Sequence, residues 1–289
     1  MVKENMPSAL PALNEIKSEL IFRSPGTDLG ERFGVGFMNK SGRREDFANY
    51  RHRNFVVVII LRGSGTYVDE NGTEFRLKEG MLFKRFPDTL HSNYIDPDSG
   101  WVEAFLEIGH ALYQALQAWR VIRTDIAVEP VCLDDGFVNM LWNFKERLRL
   151  ADETELPLLA GDMFKLVVEC RRRSDFMTVS GVEAGLIDEA CAFLGRDFST
   201  ECDLKKFCRR RGIGYENFRK IFRRKIGVSP WQYRIRRKLD LACARLRDPA
   251  LSAGEIADEL GYSSPYEFSA QFKKYTGVSP AHYRLGCRE

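Results

Sequence analysis

The first third of the chain alternates short apolar runs with turn residues, which is the pattern of β structure. Residues 55–61 form a continuous, largely β-branched apolar run, and such a run predicts a strand buried on both faces. Strand-like segments flank Asn71-Gly72, so a tight hairpin with positive φ at both turn positions is expected. Further short strands follow up to residue 108, and the pattern as a whole predicts an all-β sandwich or barrel. Residues 1–20 are interpreted as a lead-in with a short helix at most.

Beyond the predicted barrel, apolar residues recur every three or four positions, which is the helical period. Two amphipathic helices are predicted at about 137–149 and 158–172. Their apolar stripes comprise Phe137, Met140, Leu141, Phe144 and Leu148 in the first helix, and Leu159, Met163, Leu166, Val167 and Cys170 in the second. These stripes can pack against the barrel or pair with a second subunit, and the sequence leaves both interpretations open. Residues 174–181 are the expected linker, followed by another helix at about 183–195.

An octapeptide occurs twice near the end of the chain. Residues 227–234 return as residues 277–284 with six of eight residues identical. In each copy Ser-Pro predicts a helix start, because serine can cap free backbone N–H groups and proline suits the first helical position. Upstream, each copy carries an apolar pair four residues apart and a glycine between two short helical segments. Each copy is therefore predicted to be a helix-turn-helix unit.

The charge of the chain is divided unevenly between its two parts. The whole chain has a net charge of +3, but residues 196–289 hold 21 basic and 11 acidic side chains. Residues 204–238 alone hold 14 basic side chains and one acid. A folded segment with this charge repels itself unless an anion is close, so the repeated part is expected to bind nucleic acid.

Several classes of protein are excluded by what the chain lacks. No run of about 18 apolar residues predicts a transmembrane helix, and no signal-peptide core follows the N-terminus. The seven cysteines are scattered and form no Cys-x-x-Cys pair, which argues against a disulfide framework and a zinc finger. We therefore expect a protein of the reducing cytoplasm that does not enter the membrane.

The C-terminal hundred residues resemble the AraC family of bacterial transcription regulators. The second repeat carries the family pattern almost in full, from Glu255 to Ser264 and then at Phe268, Phe272, Gly277 and Pro280 to Arg284. Upstream, the glycine turns with Pro87, His91 and Trp101 resemble a cupin-like sensor barrel. The resemblance implies two domains: a cupin-like effector-binding and dimerisation domain over 1–174, and an all-α double helix-turn-helix DNA-binding domain over 181–289.

The first repeat supplies most of the predicted DNA contacts. A recognition helix is predicted at about 215–225, with Gly214 as its N-cap and with Phe218, Ile221 and Phe222 facing inward. The side chains left for DNA are Glu216, Asn217, Arg219, Lys220, Arg223 and Arg224. The resemblance implies base contacts from Glu216, Arg219 and Lys220. Arg223, Arg224 and Lys225 are expected to touch phosphate only.

The second repeat is expected to contribute less charge. Capping boxes are predicted at Ser252 to Glu255 and at Ser264 to Glu267. The candidate DNA contacts of its recognition helix are Pro265, Tyr266, Glu267, Ser269 and Gln271. Residues 239–289 hold six basic and seven acidic side chains, so this unit should read few bases or rely on DNA shape. A helix from Trp231 to about Leu246 joins the units and could set them about one DNA turn (~34 Å) apart.

The predicted barrel is interpreted as a ligand site without a metal or other cofactor. A metal-dependent cupin would show a His-x-His pair, but here Arg51-His52-Arg53 stands in its place and the arginines oppose a cation. The candidate ligand contacts are Tyr67, Phe83, Arg85, His91 and Trp101, although ordinary barrel core explains the aromatic residues equally well.

Three functions compete for the whole chain. The first is a transcription regulator, with activation rather than repression implied by the resemblance, controlled by a small effector such as a sugar or related carbon compound. Its partners would be promoter DNA, RNA polymerase and a second copy of the chain. The second is a cupin-type enzyme with secondary DNA binding, and the third is a DNA-binding protein without a ligand.

Overall fold

The computed structural model describes residues 10–26, 29–178, 181–200 and 202–286. The chain separates into two compact units that divide between residues 179 and 180, and each is described here by itself. The first unit contains all the strands found in the described ranges, and the second is helical. We call them the N-terminal and C-terminal domains.

The N-terminal domain is built on two antiparallel sheets. Its strands are β1 (Glu19–Arg23), β2 (Phe33–Asn39), β3 (Glu45–Arg51), β4 (Phe55–Arg62), β5 (Ser64–Val68), β6 (Glu74–Lys78), β7 (Met81–Arg85), β8 (Leu90–Ile95), β9 (Val102–Ile108) and β10 (Val128–Pro130). The larger sheet has the order β1-β2-β9-β4-β7-β10, and the smaller has the order β3-β8-β5-β6. The predicted all-β domain is therefore confirmed in its double-sheet form. Of the lead-in at residues 1–20, where a short helix was allowed, residues 1–9 lie outside the described residues, and residues 10–20 form a turn and the start of β1.

The centre of the larger sheet is buried on both faces. Residues 55–61 of β4 are all buried, as predicted. Val56, Val58 and Ile60 face the smaller sheet, whereas the alternate residues face a layer of helices. Because side chains of a strand alternate between faces, β4 supplies both the barrel interior and the helix-covered core.

The hairpin between β5 and β6 forms in the predicted place but with a different turn. Only Gly72 has a positive φ, of 77°, so the expected two-residue turn at Asn71-Gly72 is wrong. The Asp69 carboxylate accepts from the backbone N–H groups of Asn71 and Thr73, at 2.9 and 2.8 Å. The side chain of Asp69 thus organises a longer loop that needs a left-handed residue only at its end.

Three helices cover the outer face of the larger sheet: α1 (His110–Ala118), α2 (Asp135–Leu150) and α3 (Leu156–Thr178). The predicted apolar stripes of α2 and α3 belong to the same core as the sheet, so packing against the barrel is the interpretation that holds. Met140 is the exception, since it is exposed. The predicted linker is also too long, because α3 continues to Thr178 and buries Ser174.

The C-terminal domain contains seven helices among the described residues: α4 (Gly181–Gly195), α5 (Leu204–Arg210), α6 (Tyr215–Ile226), α7 (Pro230–Arg245), α8 (Ala253–Glu259), α9 (Pro265–Thr276) and α10 (Pro280–Gly286). Local sequence explains most of their starts. Asp203, Ser229 and Ser252 each accept a hydrogen bond from the third residue beyond them, and the last two form complete capping boxes. The two predicted helix-turn-helix units are α5–α6 and α8–α9.

Each helix-turn-helix unit has its own apolar core. The first core joins α4, α5 and α6, and the second joins α7, α8 and α9. Phe198, which lies in the connection between α4 and α5, belongs to the second core although it precedes the first unit in sequence. This residue therefore ties the two units together.

Candidate functional site

Helix α6 presents the predicted DNA-contacting side chains on one face. Phe218, Ile221 and Phe222 are buried, which fixes the rotation of the helix about its axis. The opposite face is exposed and carries the six predicted contacts, Glu216, Asn217, Arg219, Lys220, Arg223 and Arg224. Gly214 is the N-cap and makes no side-chain cap bond, as expected for glycine.

The first turn of α6 holds an arginine in a defined position. Arg219 Nη1 lies 3.1 Å from Glu216 Oε1, and its guanidinium carbon lies 5.9 Å from the centroid of the Tyr215 ring. Both members of the ion pair are largely exposed, so the pair stabilises the fold little. Its effect is to direct Arg219 toward the N-terminal end of the helix.

Helix α9 offers a smaller and less charged surface. Tyr266 is 84% exposed, and Pro265 and Glu267 are exposed beside it. Ser269 and Gln271 are half-buried, and the Gln271 amide oxygen accepts from the Tyr262 hydroxyl at 2.7 Å. Gln271 therefore keeps its amide N–H groups for any contact outside the domain.

The predicted capping box at the start of α9 is only half formed. The Ser264 side chain accepts from Glu267 N–H, but the Glu267 carboxylate accepts from the backbone and hydroxyl of Ser263 instead. These hydrogen bonds lower the pKa of Glu267. The Glu267 carboxylate therefore stabilises the turn before the helix. It binds Ser263, whereas in a complete capping box it would bind the backbone of the N-cap residue Ser264.

The repeated arginine of the octapeptide is structural. Arg234 is 3% exposed and donates to five backbone carbonyls, those of Leu194, Arg196, Asp197, Phe198 and Thr200. Its counterpart Arg284 donates to the Leu251 carbonyl at 2.7 Å. One cation of the basic run is therefore unavailable to DNA. Lys238 lies nearby, with its ammonium 4.6 Å from the centroid of the Tyr262 ring.

The interior of the N-terminal domain gathers the five predicted ligand contacts. Tyr67, Phe83 and Trp101 lie in one core cluster between the two sheets. The Tyr67 ring lies 5.2 Å from the Phe83 ring and 6.0 Å from the His91 ring, with the latter pair stacked. The guanidinium carbon of Arg85 lies 5.3 Å from the centroid of Phe83. Ring and cation–π contacts thus link four of the five residues into one group, and Trp101 belongs to the same core cluster as Tyr67 and Phe83.

A chain of buried ion pairs connects Arg85 to Trp101. Asp46 lies 2.8 Å from Arg85 and 2.7 Å from Lys40 Nζ, and Lys40 lies 2.5 Å from Glu103. Glu103 also accepts from the indole N–H of Trp101 at 2.6 Å. Each charge in this chain has an opposite partner, which is the condition for burying it.

Two histidines stack at the half-exposed end of the interior. The rings of His52 and His91 are 5.8 Å apart and nearly parallel, and Tyr50 lies edge-on to both. Burial, reinforced by the charge of Arg85, lowers the pKa of His52 to about 3 and that of His91 to about 4. Both rings are therefore neutral near pH 7.

Comparisons with known proteins agree on the class of this chain. The helix-turn-helix domain family matches residues 207–286, and the AraC-like ligand-binding domain family matches residues 39–160. The HTH-type transcriptional activator RhaR of Cronobacter sakazakii is 30% identical over 257 residues, which are 82% of this chain and 87% of that protein. The chain belongs to the AraC family.

Two other regulatory proteins match along most of their length. The raffinose operon transcriptional regulatory protein RafR of Pediococcus pentosaceus is 22% identical over 275 residues, covering 84% of this chain and 91% of that protein. The arabinose operon regulatory protein of Salmonella typhimurium is 20% identical over 245 residues, covering 81% and 85%. Our AraC-family chain is accordingly a DNA-binding transcription regulator with an effector-binding N-terminal domain.

The interior of the AraC-family sensor domain includes residues that sequence reasoning missed. Lys40, Asp46 and Asn93 were not expected, and His52 was considered only as part of a failed metal motif. Asn93 donates its amide to Asp46 at 3.3 Å. The only available signal was the alternation in β8, which places Asn93 on the same face as His91.

Two further observations bear on the class of this AraC-family chain. Within the described ranges, no group of three or more His, Cys, Asp or Glu side chains is placed to hold a metal ion. No helix in the same ranges combines the length and the apolar character needed to cross a bilayer.

Proposed function

We propose that this AraC-family regulator inserts α6 and α9 into successive major grooves of promoter DNA, and activates transcription when an effector fills its barrel. The observation that carries the proposal is the outer face of α6. Six exposed side chains, four of them basic, stand opposite a fully buried apolar face. Such a helix can enter a groove without disturbing its own core.

The two helices would contribute differently. Helix α6 supplies cations along its length, since Arg219 and Lys220 lie in its middle and further basic residues lie in its last turn. The basic residues of α9 are Lys273 and Lys274, both in its last turn. Tyr266 and the polar residues around it would contact base edges, or recognise the shape of the DNA, in the second major groove. Most of the electrostatic affinity then comes from the first unit.

The effector would bind between the two sheets, near Tyr67, Phe83, Arg85 and His91. Buried aromatic rings with a few converging polar groups are the usual lining of a small-molecule site. RafR and the arabinose regulator are named for sugar operons, which supports a sugar or related carbon compound as the effector. We assign no catalytic step to this site, and DNA binding would place the protein in the cytoplasm.

The chain would act as a dimer that contacts RNA polymerase. Because the stripes of α2 and α3 are used against the sheet, we place the subunit contact on their outer face, around Met140. A groove there is lined by Met140 and Asn143 of α2 and by Asp162 and Lys165 of α3. Sedimentation of the Met140→Glu variant tests this: a monomer is expected, and an unchanged dimer would move the contact elsewhere.

The DNA-binding proposal is tested by selecting bound duplexes from a random pool with the full chain. We expect an enriched motif with two parts about 10 bp apart. With ~6–10 phosphate contacts, log affinity should fall against log salt with a slope near −0.9 per contact. Equal affinity for selected and random DNA would favour a protein that only shapes DNA, and turnover of a bound compound would favour an enzyme. Effector-dependent transcription with purified polymerase tests activation.

A further inference from the structure

A groove lies between helices α4 and α5 of the C-terminal domain, and we call it the α4–α5 groove. Its volume is about 880 Å³. The lining includes Phe193 of α4, Arg196 directly after that helix, and Lys206, Phe207 and Arg210 of α5. No residue among the predicted DNA contacts belongs to the described lining. The groove is therefore a surface that the proposed DNA contacts do not use.

Two stacked phenylalanine rings form an apolar patch in the groove. The ring centroids of Phe193 and Phe207 are 5.2 Å apart, and the ring planes are inclined by 17°. Phe207 also lies 5.9 Å from Phe218 of the first core. Phe193 is 37% exposed and does not belong to that core. A ring that lies outside the core and stacks on a second ring offers a flat apolar face to another molecule.

Three exposed cations of the groove have no acidic partner within the described residues. They are Arg196, Lys206 and Arg210. Lys206 and Arg210 are four residues apart on α5, so they share one face of the helix, and like charges at this spacing destabilise a helix slightly. Arg211 differs from them, because it lies 2.5 Å from Glu189. The groove thus keeps three cations available for an anionic group from outside.

The carboxylates of the groove are already engaged within the domain. Asp197 accepts hydrogen bonds from the backbone N–H and the hydroxyl of Ser199. Asp203 accepts from the backbone N–H of Lys206 and caps α5. Glu189 is paired with Arg211. The acids therefore stabilise the fold, whereas the three cations do not.

An acidic peptide suits this lining better than duplex DNA. The backbone of a duplex presents closely spaced phosphates, which would lie near Glu189, Asp197 and Asp203 and would leave the ring pair without a contact. A peptide can place a few carboxylates beside the cations and an apolar side chain on the rings. Aromatic rings and arginines are also the residues that contribute most to binding at protein interfaces.

We propose that the α4–α5 groove binds an acidic segment of a protein partner. An aromatic or large aliphatic side chain of that segment packs on Phe193, and its carboxylates pair with Arg196, Lys206 and Arg210. The exposed phenylalanine and the neighbouring like charges both disfavour the isolated domain, and both become favourable in the complex. The proposal goes beyond DNA binding by α6 and α9, and it does not depend on the effector.

Selection of short random peptides on the immobilised full chain tests the proposal. Peptides that combine acidic residues with an aromatic or large aliphatic residue should be enriched. A fluorescently labelled copy of an enriched peptide should bind the full chain, and Arg210→Glu should weaken this binding at least about tenfold. Arg209→Glu is the matched control, because Arg209 is equally exposed on the same turn of α5 but does not line the groove. It should change the affinity less than about threefold.

Substitutions of Phe193 test the apolar part of the contact. Phe193→Ser should weaken the peptide about tenfold and leave duplex affinity unchanged, whereas Phe193→Leu keeps an apolar side chain and should recover most of the loss. Thermal melting shows whether each variant folds. If Phe193→Ser does not fold, the comparison of the Arg209 and Arg210 variants still decides.

The outcomes that refute the proposal are distinct from those that refute DNA binding. A selection that enriches no peptide, or only peptides without acidic residues, would overturn it, as would equal losses in the Arg209 and Arg210 variants. Weaker duplex binding by Arg210→Glu without any peptide binding would assign the groove to DNA phosphate instead. Duplex affinity is measured in the same samples, so peptide binding without duplex binding refutes only the proposed function.

Discussion

Arg234 permits a direct test of how the C-terminal domain is held together. The side chain is buried, and its two terminal nitrogens reach five carbonyls between Leu194 and Thr200, at 3.1 to 3.5 Å. Its guanidinium carbon also lies 5.0 Å from the centroid of the Phe198 ring. Arg234→Met retains the length and apolar stem of the side chain but removes every one of these hydrogen bonds.

The expected loss can be worked from the contacts. Three of the five bonds are 3.2 Å or shorter, and bonds to a charged group contribute about 1.5–3 kcal/mol each. Carbonyls in a surface connection regain some hydration, so we expect the variant to lose about 3–5 kcal/mol of unfolding free energy. For a domain of this size that corresponds to a fall in Tm of about 15 °C or more.

Hydrogen exchange of the α4 and α7 amides in the full chain measures this loss. Two controls bracket it. Arg284→Met removes one bond to a carbonyl and should cost ~1–1.5 kcal/mol. Arg237→Met removes only an exposed pair with Asp240 and should stay within about 0.5 kcal/mol. Equal exchange in the Arg234 and Arg237 variants would refute the structural role of Arg234.

Three other predictions concern the two turn glycines, two arginines of α6 and the buried histidine His91. Gly212 and Gly261 both have a φ of 64°, but a Cβ at Gly212 meets open space whereas one at Gly261 overlaps a backbone carbonyl. Gly212→Ala should therefore cost ~1–2 kcal/mol and Gly261→Ala clearly more, as measured by urea unfolding. Arg219→Ala should relax base preference in duplex selection, whereas Arg223→Ala should weaken all sequences alike and reduce the salt slope by about 1; identical effects would contradict these roles. Because folding lowers the pKa of His91 from 6.5 to about 4, the unfolded chain takes up this proton first as the pH falls. The contribution of His91 should lower the stability of the N-terminal domain from about pH 6.5 downward by up to ~1.4 kcal/mol per pH unit, and His91→Phe should show a shallower dependence of the urea midpoint on pH.

Local sequence was sufficient for most of the C-terminal domain. Helix starts depend on residues three positions apart, so Asp203, Ser229 and Ser252 could be identified as caps before the fold was known. The inward residues of α6 follow from helical periodicity in the same way. What could not be predicted was Arg234, because a buried arginine and a phosphate-binding arginine look alike within a basic run.

The interior of the N-terminal domain depended instead on contacts that are distant in sequence. Asp46 comes from β3, Arg85 from β7, Asn93 from β8 and Lys40 from the segment after β2. No local sequence pattern shows that these strands come together, so the ion pairs between them could not be predicted. Four of the five candidate ligand residues nevertheless cluster. The linker was predicted to start too early for a related reason, since the buried Ser174 resembles a turn residue when only the local sequence is considered.

The connection between α4 and α5 holds the two helix-turn-helix units together. Arg234, on the helix shared by both units, binds the carbonyls of this connection, and Phe198 from the same connection enters the core of the second unit. The Phe198 carbonyl also lies where a side chain at Gly261 would have to fit, so the turn between α8 and α9 rests directly on it. Gly212, the equivalent turn residue of the first unit, has no such neighbour. The two units are therefore not equivalent: the turn of the second unit packs against the α4–α5 connection, whereas Gly212 in the turn of the first unit has open space beside it. Because α7 is packed into the core of the second unit, the contacts of Arg234 and Phe198 fix the α4–α5 connection against that unit, and the orientation of the two units depends on this joint.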